Sequence, residues 1–205
     1  MRKILLLAVL ALALPTALLA GSSVDYTNSG GMLSGSSSGL TLSGSGLIAA
    51  NGLDGGGLIT GNMGTVTFGT GALMSGSLAQ GGMFAGGGWF TITGNGTNGI
   101  PNGTVFSGTF EGPVTWTLVT LSNGTHNYTL TSTGGLSGMS GSGFRTVGAT
   151  VQLTINTGRG FFDGSTTISS GDSNLALVVP EPGSLGLLGT GLIGLGGVVR
   201  RKLKA

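Results

Sequence analysis

Val114, Trp116 and Leu118 fall on one side of an extended chain, and Thr115 and Thr117 on the other. The same two-residue period recurs where Tyr128 and Leu130 alternate with Thr129 and Thr131. It recurs again where Val151, Leu153 and Ile155 alternate with Gln152, Thr154 and Asn156. Successive side chains of a strand point to opposite faces, so these runs predict strands with one buried face. Phe90 with Ile92, and Val105 between Thr104 and Phe106, extend the series. Asn95-Gly96, Asn98-Gly99, Asn102-Gly103 and Asn123-Gly124 separate the runs, and each pair supplies the positive φ that a tight turn needs. Between residues 30 and 179 no window joins helical apolar spacing to Ala, Glu and Lys, which argues against a parallel α/β sheet. The expected fold is all-β, an antiparallel β-sandwich or barrel built of consecutive hairpins. SGS, GTF and TGNG recur without a fixed period, so a solenoid is not indicated.

The chain holds 45 glycines in 205 residues and only 14 formally charged side chains, 8 basic and 6 acidic. Disordered chains combine low hydrophobicity with high net charge. Here 39% of residues are apolar, so a folded middle is expected. The net charge of +2 does not mark a nucleic-acid partner, because the basic residues stand at the ends. Arg2 and Lys3 open the chain, and Arg200, Arg201, Lys202 and Lys204 close it. Only Arg145 and Arg159 lie between, against Asp25, Asp54, Glu111, Asp163 and Asp172, which leaves the interior at −3. Cysteine is absent, which removes disulfides, thiolate metal sites and a thiol nucleophile together.

Both ends read as processing segments. Residues 1–22 run from Met-Arg-Lys through ILLLAVLALALPTALLA to Gly-Ser, the order of a secretory signal peptide. A cut after Ser22 places Ala20 three residues upstream and fits the small-residue preference better than a cut after Ala20; an uncleaved anchor is the alternative. Residues 23–62 form a Gly/Ser-rich segment, read either as edge strands or as a linker, with Leu40, Leu42, Leu47 and Ile48 as its apolar positions. Residues 63–179 form the β-rich body. Residues 180–205 form a third unit: Pro180-Glu181-Pro182, an uncharged run from Leu185 to Val199, and the tail Arg200-Arg201-Lys202-Leu203-Lys204.

Pro180 and Pro182 fix an extended backbone lacking two amide donors, which suits a peptide held in an enzyme cleft. As a helix the apolar run is about 22 Å long, short of the roughly 30 Å hydrocarbon core, and its glycines weaken it. A transient membrane stop fits better than a permanent span, with the cationic tail holding the C-terminus on the cytoplasmic side. The constellation resembles the PEP-CTERM sorting signal of exported proteins in Gram-negative bacteria that make exopolysaccharide. That resemblance implies an integral-membrane exosortase that recognises Pro180-Glu181-Pro182 and removes the transmembrane helix and the basic tail Arg200, Arg201, Lys202 and Lys204. It also implies passage through the secretory translocon, a brief stay in the inner membrane, and release toward an exopolysaccharide layer. The stretches VTFGTGALMSG, FTITGNGTNGIPNGTVFSGTF and ATVQLTINTGRGFFDGSTTISSGD resemble the bodies of other small Gly/Thr-rich proteins with this signal, a likeness that brings no activity with it.

Other motifs carry less. Gly94-Asn95-Gly96-Thr97-Asn98-Gly99 spells a dinucleotide fingerprint, but Ile100-Pro101-Asn102-Gly103 follows where a helix N-terminus would have to receive the pyrophosphate. Gly35-Ser36-Ser37-Ser38-Gly39 spells a nucleophile elbow within low-complexity sequence. His126 is the single histidine and falls at a strand start. Two of the five interior acids, chiefly Glu111 with Asp163 or Asp172, would have to converge for glycosidic chemistry. Asp163 and Asp172, near Ser165 and Asn174, read as turn caps rather than as calcium ligands, since the established loop spacings are missing. Asn95, Asn102, Asn123 and Asn127 each begin N-x-Thr, three of them as Asn-Gly turns. No enzyme activity, cofactor or metal is expected. Trp89, Phe90 and Trp116 are the candidates for a sugar-stacking platform: Trp116 is assigned to the core by its alternation partners, and Trp89 points opposite to Phe90.

Overall fold

The computed structural model describes residues 23–132, 136–140, 145–146 and 150–178. The expected signal helix of residues 1–22 and the expected transmembrane helix of residues 180–205 lie outside them. Ser22–Val178 forms one compact unit. Its strands are β1 (Ser23–Ser29), β2 (Met32–Ser36), β3 (Gly39–Asn51), β4 (Ile59–Gly69), β5 (Leu73–Ser77), β6 (Gly81–Phe84), β7 (Trp89–Asn95), β8 (Asn102–Phe110), β9 (Val114–Thr120), β10 (His126–Ser132), β11 (Leu136–Ser140), β12 (Arg145–Thr146), β13 (Thr150–Asn156), β14 (Ser165–Thr167) and β15 (Ser170–Val178). A single 3₁₀ turn at Leu53–Gly55 is the one helical element among the described residues.

The pairing reduces these fifteen segments to eight long strands, most of them broken near the middle. β1 and β2 both lie along β3, with Ser29 opposite Gly46 and Met32 opposite Ser43 in one register and a bulge between Thr27 and Asn28. β4 and β5 likewise run along β7 and β6, with Gly69 opposite Trp89 and Ser75 opposite Met83. β6 and β7 run along β9 and β8, where Phe84 meets Val114 and Trp89 meets Thr109. β8 and β9 face β11 and β10 without a change of register across Glu111-Gly112-Pro113. β10 and β11 face β13 and β12, and these face β15.

The last long strand returns to the first. Ala176 of β15 pairs with Ser23 of β1, and Thr167 of β14 pairs with Met32 of β2. The antiparallel sheet therefore curls until it closes, each long strand beside its neighbours in sequence, and the barrel alternative replaces the sandwich. Partners traced from Leu33 through Leu42, Phe68, Phe90, Gly108, Gly138 and Thr146 end at Leu177, beside the Ala176–Ser23 pair. One circuit thus climbs about ten residues, the stagger that tilts the strands of a closed barrel.

An eight-stranded ring leaves an interior that side chains fill. Phe68 and Phe90 stack at 6.5 Å, and Phe110 stands edge-on to them at 6.0 and 6.3 Å. Gly138, opposite Gly108, has no room for a Cβ, which would run into Ser107 O and stand 2.8 Å from the Phe106 ring. A second group holds Trp116, Tyr128 and Phe162, with Trp116 and Tyr128 stacked at 4.9 Å. Val114, Leu130, Val151, Leu153 and Ile155, expected inside from their alternation, are all buried. The outward positions carry Thr65, Thr93, Thr104, Ser107, Thr109 and Thr117, all exposed. That polarity is the reverse of a barrel set in lipid, whose apolar band faces out. No helix among the described residues is long and apolar enough to cross a membrane.

The segment 23–62 supplies β1, β2, β3 and the start of β4, and β3 is paired on both sides. Among the turn signals, Asn98 and Gly99 take φ of 52° and 87°, and Ile100 N–H donates to Thr97 O at 3.0 Å, a tight turn as expected. Asn102-Gly103 is different: it lies within β8. Gly103, at φ 98°, pairs with Gly94, and the strand's bulge follows at Val105, the extra residue between the Thr93–Thr104 and Ile92–Phe106 pairs.

Candidate functional site

The outer face of β4, β7 and β8 is built from hydroxyls around one aromatic ring. Trp89 opens β7 and is 46% exposed, whereas Phe90 beside it is fully buried, as strand alternation requires. Across the sheet Trp89 faces Gly69 on β4 and Thr109 on β8. Its five-membered ring rests over Gly69, so closely that a Cβ there would stand 2.7 Å from Nε1. Two residues along, Thr91 is flanked by Thr67 and Ser107. No charged residue occurs from Gly55 to Phe110, so the strands that make this face are uncharged throughout.

Trp116, the other indole, is structural. It is 1% exposed, and its Nε1 donates to Leu78 O at 2.8 Å. Tyr128 Oη donates to Ala79 O at 2.7 Å and accepts from Phe162 N–H at 3.0 Å. These bonds tie the β5–β6 turn and the loop before β14 to the interior.

His126 begins β10. Its ring stacks on Phe161 at 4.4 Å, and Nδ1 lies 3.0 Å from Thr120 Oγ1. Glu111 lies in the break between β8 and β9, Asp163 precedes β14, and Asp172 stands on β15. Asp172 faces Thr27, two residues from Asp25 on the same outer surface. Burial first, and the Asp172 charge second, raise the Asp25 carboxyl above its ordinary range. Among the described residues no three His, Asp or Glu side chains gather where a metal ion would bind. Gly94–Gly99 runs from the end of β7 into a hairpin turn, and Gly35–Gly39 runs from β2 into β3; neither meets a helix.

Sequence reasoning did not find Gly69 beneath Trp89, the His126–Phe161 stack, or Asn28. Asn28 is 1% exposed inside the barrel; its Nδ2 donates to Ser45 Oγ at 2.6 Å, and its Oδ1 has no partner. Cross-strand register decides the first and the last, and the fold of the β13–β14 loop decides the stack; a single sequence shows neither for segments far apart in the chain. The sorting residues Pro180, Glu181 and Pro182, and the tail residues Arg200, Arg201, Lys202 and Lys204, lie outside the described residues.

No curated protein and no solved structure matches the chain. Residues 178–202 match the family of the PEP-CTERM protein-sorting motif. Those residues hold the Pro-Glu-Pro tripeptide, the apolar run and the Arg-Arg pair in order, so the chain carries a C-terminal PEP-CTERM sorting motif, which supports an exported protein sorted by exosortase.

Proposed function

We propose that this protein is a non-enzymatic component of the cell envelope or extracellular matrix, delivered through the secretory translocon and released by exosortase into an exopolysaccharide layer. The PEP-CTERM match at residues 178–202 carries the reading. The Pro180-Glu181-Pro182 segment is the recognised peptide, the following apolar run is a transient inner-membrane stop, and Arg200, Arg201, Lys202 and Lys204 keep the tail cytoplasmic. The composition of the body supports a structural role. Its titratable groups are few, and its one histidine is stacked against Phe161. Intact mass of the protein recovered from its host, with and without the exosortase, tests the reading. Loss of the C-terminal helix and tail should depend on the enzyme; a product retaining residues 183–205 while the enzyme is active would refute it.

A second reading, a carbohydrate-binding or adhesive module, is favoured by the exposure of Trp89 at 46% on an otherwise hydroxyl-bearing face.

A further inference from the structure

We propose that the outer face of β4, β7 and β8, centred on Trp89, is a binding site for a neutral polysaccharide chain; the inference rests on the exopolysaccharide reading and assigns it a place on the barrel. The chemistry of the face selects the ligand. The apolar C–H face of a sugar ring packs against an indole, and its hydroxyls need partners that both donate and accept. Trp89 supplies the ring. Thr109 beside it, Thr91 two residues along, and Thr67 and Ser107 flanking Thr91 supply hydroxyls of both kinds.

The indole is held in place for this role. One side rests on Gly69, which a Cβ of any other residue would displace, and the other side is left to solvent. Covering a strand glycine is a structural benefit by itself. It uses one face of the ring only, and it does not account for a ring ringed by hydroxyls where an apolar interface would surround it with aliphatic groups. Outward side chains on neighbouring strands stand about 5 Å apart, and alternate ones along a strand about 7 Å, so the hydroxyls form a regular array.

Charge narrows the class. The chain is uncharged from Gly55 to Phe110, and the interior between its two ends carries −3. A uronic-acid or sulfated polymer finds no cation on this face and meets carboxylates elsewhere, whereas an uncharged glycan meets neither penalty. A protein partner anchored by one tryptophan would want an apolar, well-packed surround, and Gly69, Thr91 and Thr109 around Trp89 do not offer one.

The test uses the full chain in mild detergent. Cellohexaose and a neutral glucomannan are the probes, with alginate as the anionic control. In a Trp116→Phe background Trp89 is the remaining indole, so its emission should shift to the blue and become harder to quench with acrylamide as neutral glycan is added. Affinity electrophoresis through the same polymers should show Trp89→Ala binding at least tenfold more weakly while the barrel stays folded, with Trp89→Phe between. The Thr91→Val/Thr109→Val pair keeps the indole and should weaken binding about fivefold, which covers the case in which Trp89→Ala melts early. Neutral glycan bound equally well by all variants would overturn the site while leaving the exopolysaccharide reading intact. Preference for alginate, or no binding to either neutral polymer, would overturn the ligand class. Failure of exosortase processing is read separately, in the intact mass.

Discussion

Tyr128→Phe removes one oxygen from the barrel interior, and the structure fixes what that oxygen does. Tyr128 Oη accepts from Phe162 N–H at 3.0 Å in a buried bond and donates to Ala79 O at 2.7 Å in a partly buried one. The ring is fully buried and stacked on Trp116 at 4.9 Å, so phenylalanine keeps the packing and loses only the two bonds. A buried donor left without a partner costs roughly 1–3 kcal/mol, and a partly solvated carbonyl that water can reach costs closer to 1 kcal/mol. The sum is about 2–4 kcal/mol. For a domain of this size each kcal/mol lowers the melting temperature by roughly 2–4 °C, so a fall of about 5–15 °C is expected. Circular dichroism during thermal unfolding of the full chain in mild detergent measures it. The Phe162 amide should also exchange with deuterium faster in the variant, while the Leu130 amide, in the middle of β10, stays protected. A melting temperature within 2 °C of the parent would refute the assignment, because it would mean that neither bond forms in solution.

Glycine substitutions should separate by location: Gly64, at φ 146° with a would-be Cβ driven into Thr93 O, should lose more than about 3 kcal/mol on change to Ala, whereas Gly30, at φ 65° in open space, should lose about 1 kcal/mol. Chemical denaturation of both variants checks the contrast, and equal losses would mean that β4 and β7 do not approach as closely as the pairing requires. Burial first, and the Asp54 charge second, push the Tyr26 phenol up to about 12 from its ordinary 10.0. The unfolded chain therefore releases this proton first, so the contribution to stability is whole below pH 10 and falls as pH rises toward 12, by about 2–3 kcal/mol in total. Denaturation series across that range, compared with Tyr26→Phe, should show the loss only in the parent.

The strand content of the second half was legible because large apolar side chains alternate with threonine there: Val114, Trp116, Tyr128, Leu130, Val151, Leu153 and Ile155 all point inward. Residues 23–62, open to reading as edge strands or as a linker, showed theirs less plainly. Glycine and serine have little intrinsic strand preference, so the runs that become β1, β2 and β3 look like linker, although Val24, Tyr26, Leu33, Leu40, Leu42 and Leu47 are buried within them. Their order comes from tertiary pairing. β1 is held between β3 and β15, and nothing local to SVDYTNS announces a partner some 150 residues away, the span between Ser23 and Ala176. The Trp89 face shows the same division. Alternation set Trp89 and Phe90 on opposite faces without deciding which faced out, and the glycine beneath and the hydroxyls around Trp89 come from β4 and β8 and required the register.

Closure of the ring bears on what the body can do after release. A long free strand edge is a template for pairing with another chain, and a secreted matrix component with such edges would grow into fibres by backbone hydrogen bonding. Here the first and last long strands satisfy each other through Ser23–Ala176 and Met32–Thr167. The short β5, at one end of the pairing order, is interrupted by a register shift after Leu73 and by Gly76 at φ 78°, both of which spoil it as a template. In the proposed matrix role, association then runs through side chains. On β4, β7 and β8 those are hydroxyls and one indole without a charge, so self-association has neither ion pairs nor an apolar patch to drive it there, while a hydroxyl-rich polymer finds complementary groups. The proposed exopolysaccharide role therefore calls for a discrete unit bound through side chains, not for a fibre grown by strand pairing.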